Sequence, residues 1–231
     1  MARAPDHPRS PSRRLLGGAG IAGLLALATV LVVVPGGAAP TALDTWVFDV
    51  TTDWTSRVPW VVDSAAVLGD VTDVVPSAVL GVVATVWMAL RRHWAFALLV
   101  ACSGLVGVAV VEMLKRTVGR MRPPGADEFI SHGLDRSFPS GHASVGVYVY
   151  AALAVLLVIV ASRRQLRGLL WAGRALFAVG ILIGVSRIIL GVHWSTDVLA
   201  GWALASTILL LSTALVRPWA QPAPPSSRAS D

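Results

Sequence analysis

Long apolar runs separated by short polar connections dominate the chain. An α-helix needs about 20 mostly apolar residues to cross a bilayer. Six runs reach or approach that length, and each is predicted to be a membrane span. They cover approximately residues 15–34, 74–90, 94–114, 143–161, 169–190 and 198–216. A shorter apolar stretch, residues 58–68, contains Asp63 and is predicted to be an interfacial or re-entrant helix rather than a span.

The composition agrees with a membrane protein. Hydrophobic residues make up 55% of the chain and charged residues 14%, with a mean hydropathy of +0.69. A soluble domain averages about 45–50% apolar and about 25% charged residues. We therefore predict an all-α, polytopic membrane bundle of about six helices over residues 15–216. It is flanked by a basic cytoplasmic tail, residues 1–14, and by a Pro- and Ser-rich, disordered cytoplasmic tail, residues 217–231.

Charge placement predicts how the bundle is oriented. Cytoplasmic loops of membrane proteins carry an excess of Lys and Arg. If the spans alternate, nearly all basic connections lie on the same side as both termini. These cations are Arg3, Arg9, Arg13 and Arg14, then Arg91 and Arg92, then Arg163, Arg164 and Arg167, and finally Arg217. The first run is longer than a signal-peptide core of about 7–15 residues, which favours an uncleaved span over a cleaved signal.

The connection between the third and fourth spans breaks this charge pattern. Although the topology places it outside, it carries five cations, namely Lys115, Arg116, Arg120, Arg122 and Arg136. A bound anion would account for them. Nucleic acid is a poor candidate for this anion, despite the net charge of +6, because no basic helix interleaved with aromatic residues is present. The single cysteine, Cys102, excludes an intrachain disulfide and a multi-cysteine metal site.

Three polar clusters lie at the predicted outer ends of spans. The sequence KRTVGRMRP holds Lys115 and Arg122, PSGH holds Ser140, Gly141 and His142, and SRIILGVHWSTD holds Arg187, His193 and Asp197. Cations that neutralise the equatorial oxygens are the main requirement of phosphoryl transfer. Arginine matches phosphate with its planar fork, and lysine acts as a point charge. The clusters therefore predict a phosphate site on the outer face.

The histidines in these clusters suggest covalent chemistry. Ser140 is a good N-cap, so His142 is expected in the first turn of a helix whose free N–H groups favour an anion. His193 and Asp197 are four residues apart and would share a face if that segment is helical. A carboxylate beside an imidazole fixes its tautomer and leaves the other nitrogen free to attack phosphorus. One histidine can then be the nucleophile and the other the general acid.

The three clusters resemble the signature motifs K-x6-RP, PSGH and SR-x5-H-x3-D of the type 2 phosphatidic acid phosphatase superfamily. The resemblance implies that His193 is the nucleophile that forms phosphohistidine, that Asp197 orients it, and that His142 protonates the leaving group. It further implies a phosphate site made by Lys115, Arg122, Arg187, Ser140 and the amide of Gly141. The family generally needs no metal or other cofactor, and its substrates are lipid phosphates within the membrane.

Several functions are compatible with these motifs. The leading hypothesis is hydrolysis of a lipid phosphate or pyrophosphate, with undecaprenyl pyrophosphate, phosphatidic acid and phosphatidylglycerol phosphate as candidate substrates. The same phosphohistidine would also serve a phosphotransferase. Haloperoxidase chemistry uses a related anion site in soluble proteins, and the six apolar runs argue against it. A non-catalytic protein that binds anionic lipid would have no need of the His193–Asp197 pair. The oligomeric state and the physiological pathway are left open.

Overall fold

The computed structural model describes residues 11–36, 38–129 and 136–216, and these residues form helices and their connections without a strand. The helices are α1 (Pro11–Val33), α2 (Ala42–Arg57), α3 (Pro59–Val71), α4 (Val74–Leu90), α5 (Trp94–Val118), α6 (Gly141–Val145), α7 (Ala152–Arg164), α8 (Arg167–Ile189) and α9 (Ser195–Val216). A 3-10 turn covers Ala126–Phe129, and a π-helical turn, Gly146–Ala151, joins α6 to α7. The predicted all-α class is confirmed.

Five helical segments of the described chain are long and apolar enough to cross a membrane, and the number becomes six if a bent pair is included. The bent pair consists of α3 and α4, whose axes differ by 47°. Since α4 has only 17 residues, it reaches the length of a span only together with α3. The prediction of about six spans is thus confirmed, and the helix predicted near residues 58–68 is present as α3. Residues 1–10 and 217–231 of the predicted tails lie outside the described residues, whereas residues 11–14 belong to α1.

Helix α2 was not predicted from the sequence. Its residues alternate between polar and apolar types too often to produce an apolar run, so the hydropathy pattern does not reveal it. A capping box starts the helix, because Thr41 accepts from the amide of Asp44 while Asp44 accepts from the amide of Thr41. Phe48 and Thr55 follow Asp44 at helical spacing, and this face packs on α8 and α9. The opposite face exposes Trp46 and Trp54.

The bundle is organised around α9, which contacts α1, α2, α5, α6 and α8. A glycine pair permits a close backbone contact between the fourth and fifth spans. A methyl group added at Gly146 would lie 2.2 Å from the carbonyl oxygen of Gly180, so neither helix tolerates a side chain there without moving apart. Small residues commonly allow such backbone contacts between membrane helices. This contact fixes α6, and with it the second motif, against α8.

Apolar side chains cover the outside of the spans. The large exposed ones include Ile21, Val75, Leu105, Leu182 and Leu215, which belong to five different helices. Exposing such a surface to water would be unfavourable in free energy, whereas in a bilayer it faces lipid tails. The molecule is a multi-pass membrane protein, and several of its most buried polar residues, among them Ser140 and Asp197, belong to the three motifs.

Candidate active site

The first motif enters the site from the end of α5. Lys115 lies in the last turn of α5, with its ammonium group 3.9 Å from the Glu112 carboxylate. The helix ends at Val118, and the chain then runs toward the connection between α8 and α9. There Arg122 donates from Nη1 to the carbonyl oxygen of Val192 at 2.7 Å and lies 3.1 Å from Nε2 of His193. The guanidinium group is therefore held at the histidine predicted to be the nucleophile.

The second motif begins a short helix, as predicted. Ser140 is the N-cap of α6, and its hydroxyl oxygen accepts from the amide of Ala143 at 3.4 Å. The amide of Ser140 donates to the carbonyl oxygen of Asp197 at 3.0 Å, which ties this turn to the third motif. His142 lies in the first turn of α6 and is partly exposed. The four residues of PSGH thus form a helix start beside α9.

The third motif spans the turn between α8 and α9. Helix α8 ends at Ile189, and Gly191 then adopts a left-handed conformation with φ of 62° that suits glycine and makes the turn. His193 precedes α9, whereas Asp197 lies in its first turn. The segment is therefore not helical throughout, yet Nδ1 of His193 lies 3.4 Å from Oδ2 of Asp197. The amide of Trp194 donates to the same oxygen at 2.9 Å.

The two neighbours of His193 define its tautomer. Arg122 has only donors, so the contact at Nε2 requires a lone pair on that nitrogen. The proton then resides on Nδ1, facing Asp197. Burial lowers the pKa of His193 to about 4, and the charges of Arg122 and Lys115 act in the same direction against the opposing effect of Asp197. At neutral pH the ring is uncharged, with the lone pair of Nε2 directed at Arg122.

Arg187 and His142 complete the site through contacts with α3 and α4. Arg187 lies in the last turn of α8, is 7% exposed, and donates from Nη2 to the carbonyl oxygen of Ala65 at 3.4 Å. The guanidinium group occupies the space beside Gly69, where an added methyl carbon would lie 1.7 Å from Nη2. Nε2 of His142 lies 3.3 Å from Oδ1 of Asp73, in the bend between α3 and α4.

The predicted residues therefore converge. His142 lies within electrostatic range of Arg187, His193 and Arg122, and His193 within range of Lys115. Ser140 and Asp197 are joined by a backbone hydrogen bond. Each residue that the sequence singled out is thus found in or beside one cluster. In the described ranges, no three His, Cys, Asp or Glu side chains group as metal ligands do.

The sequence assigned no role to Arg120 beyond its place among the five cations of this connection, and it did not single out Asp44. In the structure Arg120 is fully buried. Its Nη1 donates to Asp197 and its Nη2 donates to Asp44, both at 2.6 Å. Burial alone would raise the pKa of the Asp44 carboxyl, but hydrogen bonds from the Thr196 and Thr41 amides and from Arg120 lower it to about 2. Arg136 instead donates to carbonyl oxygens at the end of α5.

Comparison with known proteins identifies the family. The model of the PAP2 superfamily matches residues 92–220. The chain is 30% identical to the "Putative undecaprenyl-diphosphatase YbjG" of Escherichia coli over 68% of this chain and 74% of that protein. It is 35% identical to "Phosphatidylglycerophosphatase B" of Bacillus subtilis over 43% of this chain, and 33% identical to the "Lipid A 1-phosphatase" of Rhizobium johnstonii over 51%. These two matches span only about half of the relatives' length, 48% and 44%.

A solved structure supports the fold. The crystal structure of a transmembrane PAP2-type phosphatidylglycerolphosphate phosphatase from Bacillus subtilis superimposes with a TM-score of 0.69 at 23% identity. The match covers 87% of this chain and 96% of that one. At this identity the likeness establishes the fold, whereas the family assignment rests on the sequence matches. The relatives named above are all lipid phosphatases or diphosphatases by name, and the chain belongs to the PAP2 superfamily.

Proposed function

We propose that the chain is a membrane phosphatase that hydrolyses a lipid phosphate or lipid pyrophosphate through a phosphohistidine at His193. The observation that carries the proposal is the pair of contacts made by this ring. Asp197 faces Nδ1, while Arg122 faces Nε2. An uncharged imidazole with a lone pair among phosphate-binding cations is the arrangement that nucleophilic attack on phosphorus requires.

The phosphate group would bind among Lys115, Arg122 and Arg187, with Ser140 and the amide of Gly141 as further donors. When phosphate enters, it replaces Nε2 of His193 as the hydrogen-bond acceptor for Arg122 and so exposes the lone pair to phosphorus. The guanidinium groups neutralise charge on the equatorial oxygens as the P–O bond lengthens. These interactions are stronger in the transition state than with the bound substrate, and they therefore accelerate the step.

The first chemical step would form the bond between Nε2 of His193 and phosphorus and break the bond to the leaving oxygen. His142 gives its proton to that oxygen, which belongs to a lipid alcohol or, for a pyrophosphate, to a lipid monophosphate. Nδ1–H of His193 stays on the ring, and the carboxylate of Asp197 stabilises the positive charge that develops there. Asp197 need not take this proton for the reaction to proceed.

The second step would consume water. His142, now neutral, accepts a proton from a water molecule that attacks phosphorus, and the P–N bond breaks with its electron pair returning to Nε2. Inorganic phosphate leaves, and both histidines return to their starting protonation states. An acceptor alcohol in place of water would give phosphotransfer by the same route, so product analysis distinguishes the two reactions.

The location of the site supports a lipid substrate. The motifs lie at the ends of membrane spans, where a headgroup at the membrane surface can reach them while its chains stay in the bilayer. The relatives' names supply the candidates, namely phosphatidylglycerophosphate, undecaprenyl diphosphate and the 1-phosphate of lipid A. We further propose that the bundle covers residues 15–216, that both termini are cytoplasmic, and that the site opens on the outer face.

The test is phosphate release by detergent-purified protein in the presence of EDTA. Wild type and His193→Ala are compared on undecaprenyl pyrophosphate, phosphatidic acid and phosphatidylglycerol phosphate. Loss of the nucleophile is expected to reduce turnover at least about a thousandfold. An acid-labile, base-stable phosphoryl adduct on wild type, absent from the variant, would identify phosphohistidine. Equal release by both proteins would refute the mechanism, and failure to release phosphate from any substrate would favour a transferase or a lipid-binding role.

A further inference from the structure

A buried ion cluster joins the site to helix α2. Arg120 bridges the carboxylates of Asp44 and Asp197 with distances of 2.6 Å on each side. The side chains of all three residues are 0% exposed. Neither Arg120 nor Asp44 belongs to the specified motif positions, and neither is in the mechanism proposed above. The cluster therefore needs its own explanation.

Asp44 is held from several directions. Its Oδ1 accepts from the hydroxyl of Ser195 and from the amide of Thr196, both at 2.8 Å. Its Oδ2 accepts from the hydroxyls of Thr196 and Thr41, both at 2.9 Å, as well as from Arg120. This one carboxylate thus completes the capping box of α2 and also caps the first turn of α9. Because Asp197 is in that turn, α2 fixes the helix end that carries it.

Asp197 is equally constrained. Oδ1 accepts from Arg120 at 2.6 Å, whereas Oδ2 accepts from the hydroxyl of Ser137 and from the amide of Trp194 and faces Nδ1 of His193. With both oxygens engaged, the carboxylate cannot rotate, and only Oδ2 faces the histidine. Arg120 thereby selects the oxygen that faces His193.

The charge of the cluster matters as much as its geometry. Asp197 paired with Arg120 alone would carry no net charge, and its ability to stabilise a positive imidazole would largely disappear. Asp44 adds a second negative charge, so the three groups together carry −1. In a buried site such a charge acts over several ångströms with little screening. Attack by His193 places positive charge on the ring, and the cluster is the nearest negative charge to it.

We propose that Asp44 and Arg120 are positioning residues that set the orientation and net charge of Asp197 and, through it, the reactivity of His193. The inference rests on the proposed phosphohistidine mechanism. The competing explanation is a purely structural joint between α2 and α9. Buried ion pairs are often no more stabilising than apolar replacements, so stability alone is a weak reason for such a cluster. A structural joint also has no need to include the carboxylate that faces the nucleophile.

The experiment compares Asp44→Asn, the double variant Asp44→Asn/Arg120→Gln, and wild type. Asp44→Asn leaves Arg120 to cancel Asp197, so kcat is expected to fall about 10- to 100-fold, with KM changed less than about twofold. The double variant removes both charges and returns the net −1 to Asp197. Its kcat is expected to recover at least about threefold relative to Asp44→Asn. A purely structural joint predicts that the double variant is no better than the single one.

A matched control lies on the same helix. Asp53 is exposed and pairs with Arg57 one turn away, so Asp53→Asn makes the same chemical change on α2 outside the cluster. Its kcat and KM should equal those of wild type. If Asp44→Asn is not recovered in folded form, the double variant, which keeps the net charge of −1 that the cluster has in wild type, remains the test. It should then stay within about tenfold of wild-type kcat, and activity as low as that of His193→Ala would overturn the inference.

A second measurement separates this inference from the proposed function. In protein labelled with ¹⁵N-histidine, the Nδ1–H signal of His193, assigned with His193→Gln, reports its hydrogen bond to Asp197 whether or not any substrate is turned over. In Asp44→Asn this signal should move upfield and exchange faster with water. An unchanged signal would overturn the inference even in an active enzyme. If the signal differs between Asp44→Asn and wild type while the wild-type protein releases no phosphate, the role of the cluster is supported and the proposed reaction is refuted.

Discussion

His142 and His193 carry the same ring but have different carboxylate partners. Asp197 is fully buried, and three donors besides His193 hold its carboxylate, whereas Asp73 is a half-exposed residue in a bend beside His142. A pair of titratable groups in contrasting environments is the usual basis for separate acid and base roles. The buried, uncharged His193 suits a nucleophile. His142 has access to solvent and a carboxylate, that of Asp73, beside its ring, and it therefore suits proton transfer to the leaving group.

Replacing Asp73 should therefore affect leaving-group protonation. Asp73→Asn keeps an N-cap for α4, since Asn caps as well as Asp, but removes the charge next to His142. We expect turnover of alkyl phosphates to fall about tenfold or more, because general acid catalysis contributes about 10²–10⁴. Turnover of p-nitrophenyl phosphate, whose leaving group needs no proton, should change less than about threefold. Parallel losses on both substrates would contradict this role, and Asp63→Asn on α3 is the control.

The pH dependence of kcat/KM should report the state of His193. With its pKa lowered to about 4, nearly all of the imidazole is neutral at pH 5.5, whereas an ordinary histidine with a pKa of about 6.5 would be about nine-tenths protonated. The acid limb should thus lie below about pH 5 and should be shared by substrates whose own phosphate ionisations differ. Arg122→Gln should move it to higher pH and Asp197→Asn to lower pH. A shared limb near pH 6.5 would contradict the environment described.

At the residue scale the sequence predicted the members of the site but not the groups that hold them. Lys115, His142 and Asp197 stand at fixed spacings that make a pattern. Asp44 and Asp73 lie in a different part of the chain, outside any motif, and reach the site only through the fold. Arg120 lies between the motif positions Lys115 and Arg122. The sequence around it gives no sign that its side chain turns inward to two carboxylates.

At the scale of elements, the contact between α3 and α8 has a consequence that can be tested. Gly69→Ala would place a methyl group 1.7 Å from the Arg187 guanidinium, which is the movable end of a long side chain. We expect Arg187 to shift while the helices stay in place, so folding is retained and kcat/KM falls about 10- to 100-fold. The measurement is steady-state kinetics together with thermal unfolding in detergent.

The control for this variant is another helical glycine. Gly104 in α5 has nothing within 4 Å of an added methyl group, so Gly104→Ala should leave activity and stability unchanged. A Gly69→Ala protein that is fully active would show that Arg187 has no fixed place against α3. A protein that loses its fold would show that the helices, rather than the arginine, give way.

Elements were predictable in proportion to their apolar length. The spans from α5 to α9 appear as long apolar runs, with boundaries that differ from the prediction by a few residues. Helix α2 mixes threonine, aspartate and tryptophan, so neither hydropathy nor a simple periodicity identified it. The role of the bend between α3 and α4 could not be predicted either. It depends on the contacts of Gly69 and Asp73 with motifs that lie more than 60 residues away in the sequence.

At the scale of the whole molecule, two of the five cations between the third and fourth spans weigh little against the proposed orientation. Arg120 is neutralised by Asp44 and Asp197, and Arg122 contacts His193 in the proposed phosphate site. The positive-inside bias counts exposed charges near short loops, and such buried or functional cations contribute little to it. The arginines of the second and fourth connections then carry the most weight, which supports the proposal that the site lies outside.

Labelling of single cysteines tests that orientation. In a Cys102→Ser background, Phe129→Cys lies in the exposed 3-10 turn near the site, and Arg92→Cys lies in the exposed turn between α4 and α5. A membrane-impermeant maleimide should label Phe129→Cys in intact cells and Arg92→Cys only after permeabilisation. The reverse pattern would place the site in the cytoplasm, and the substrate would then have to be presented from the inner leaflet. Because both variants leave the three motifs intact, phosphatase assays on the same membranes would verify that each labelled protein is folded.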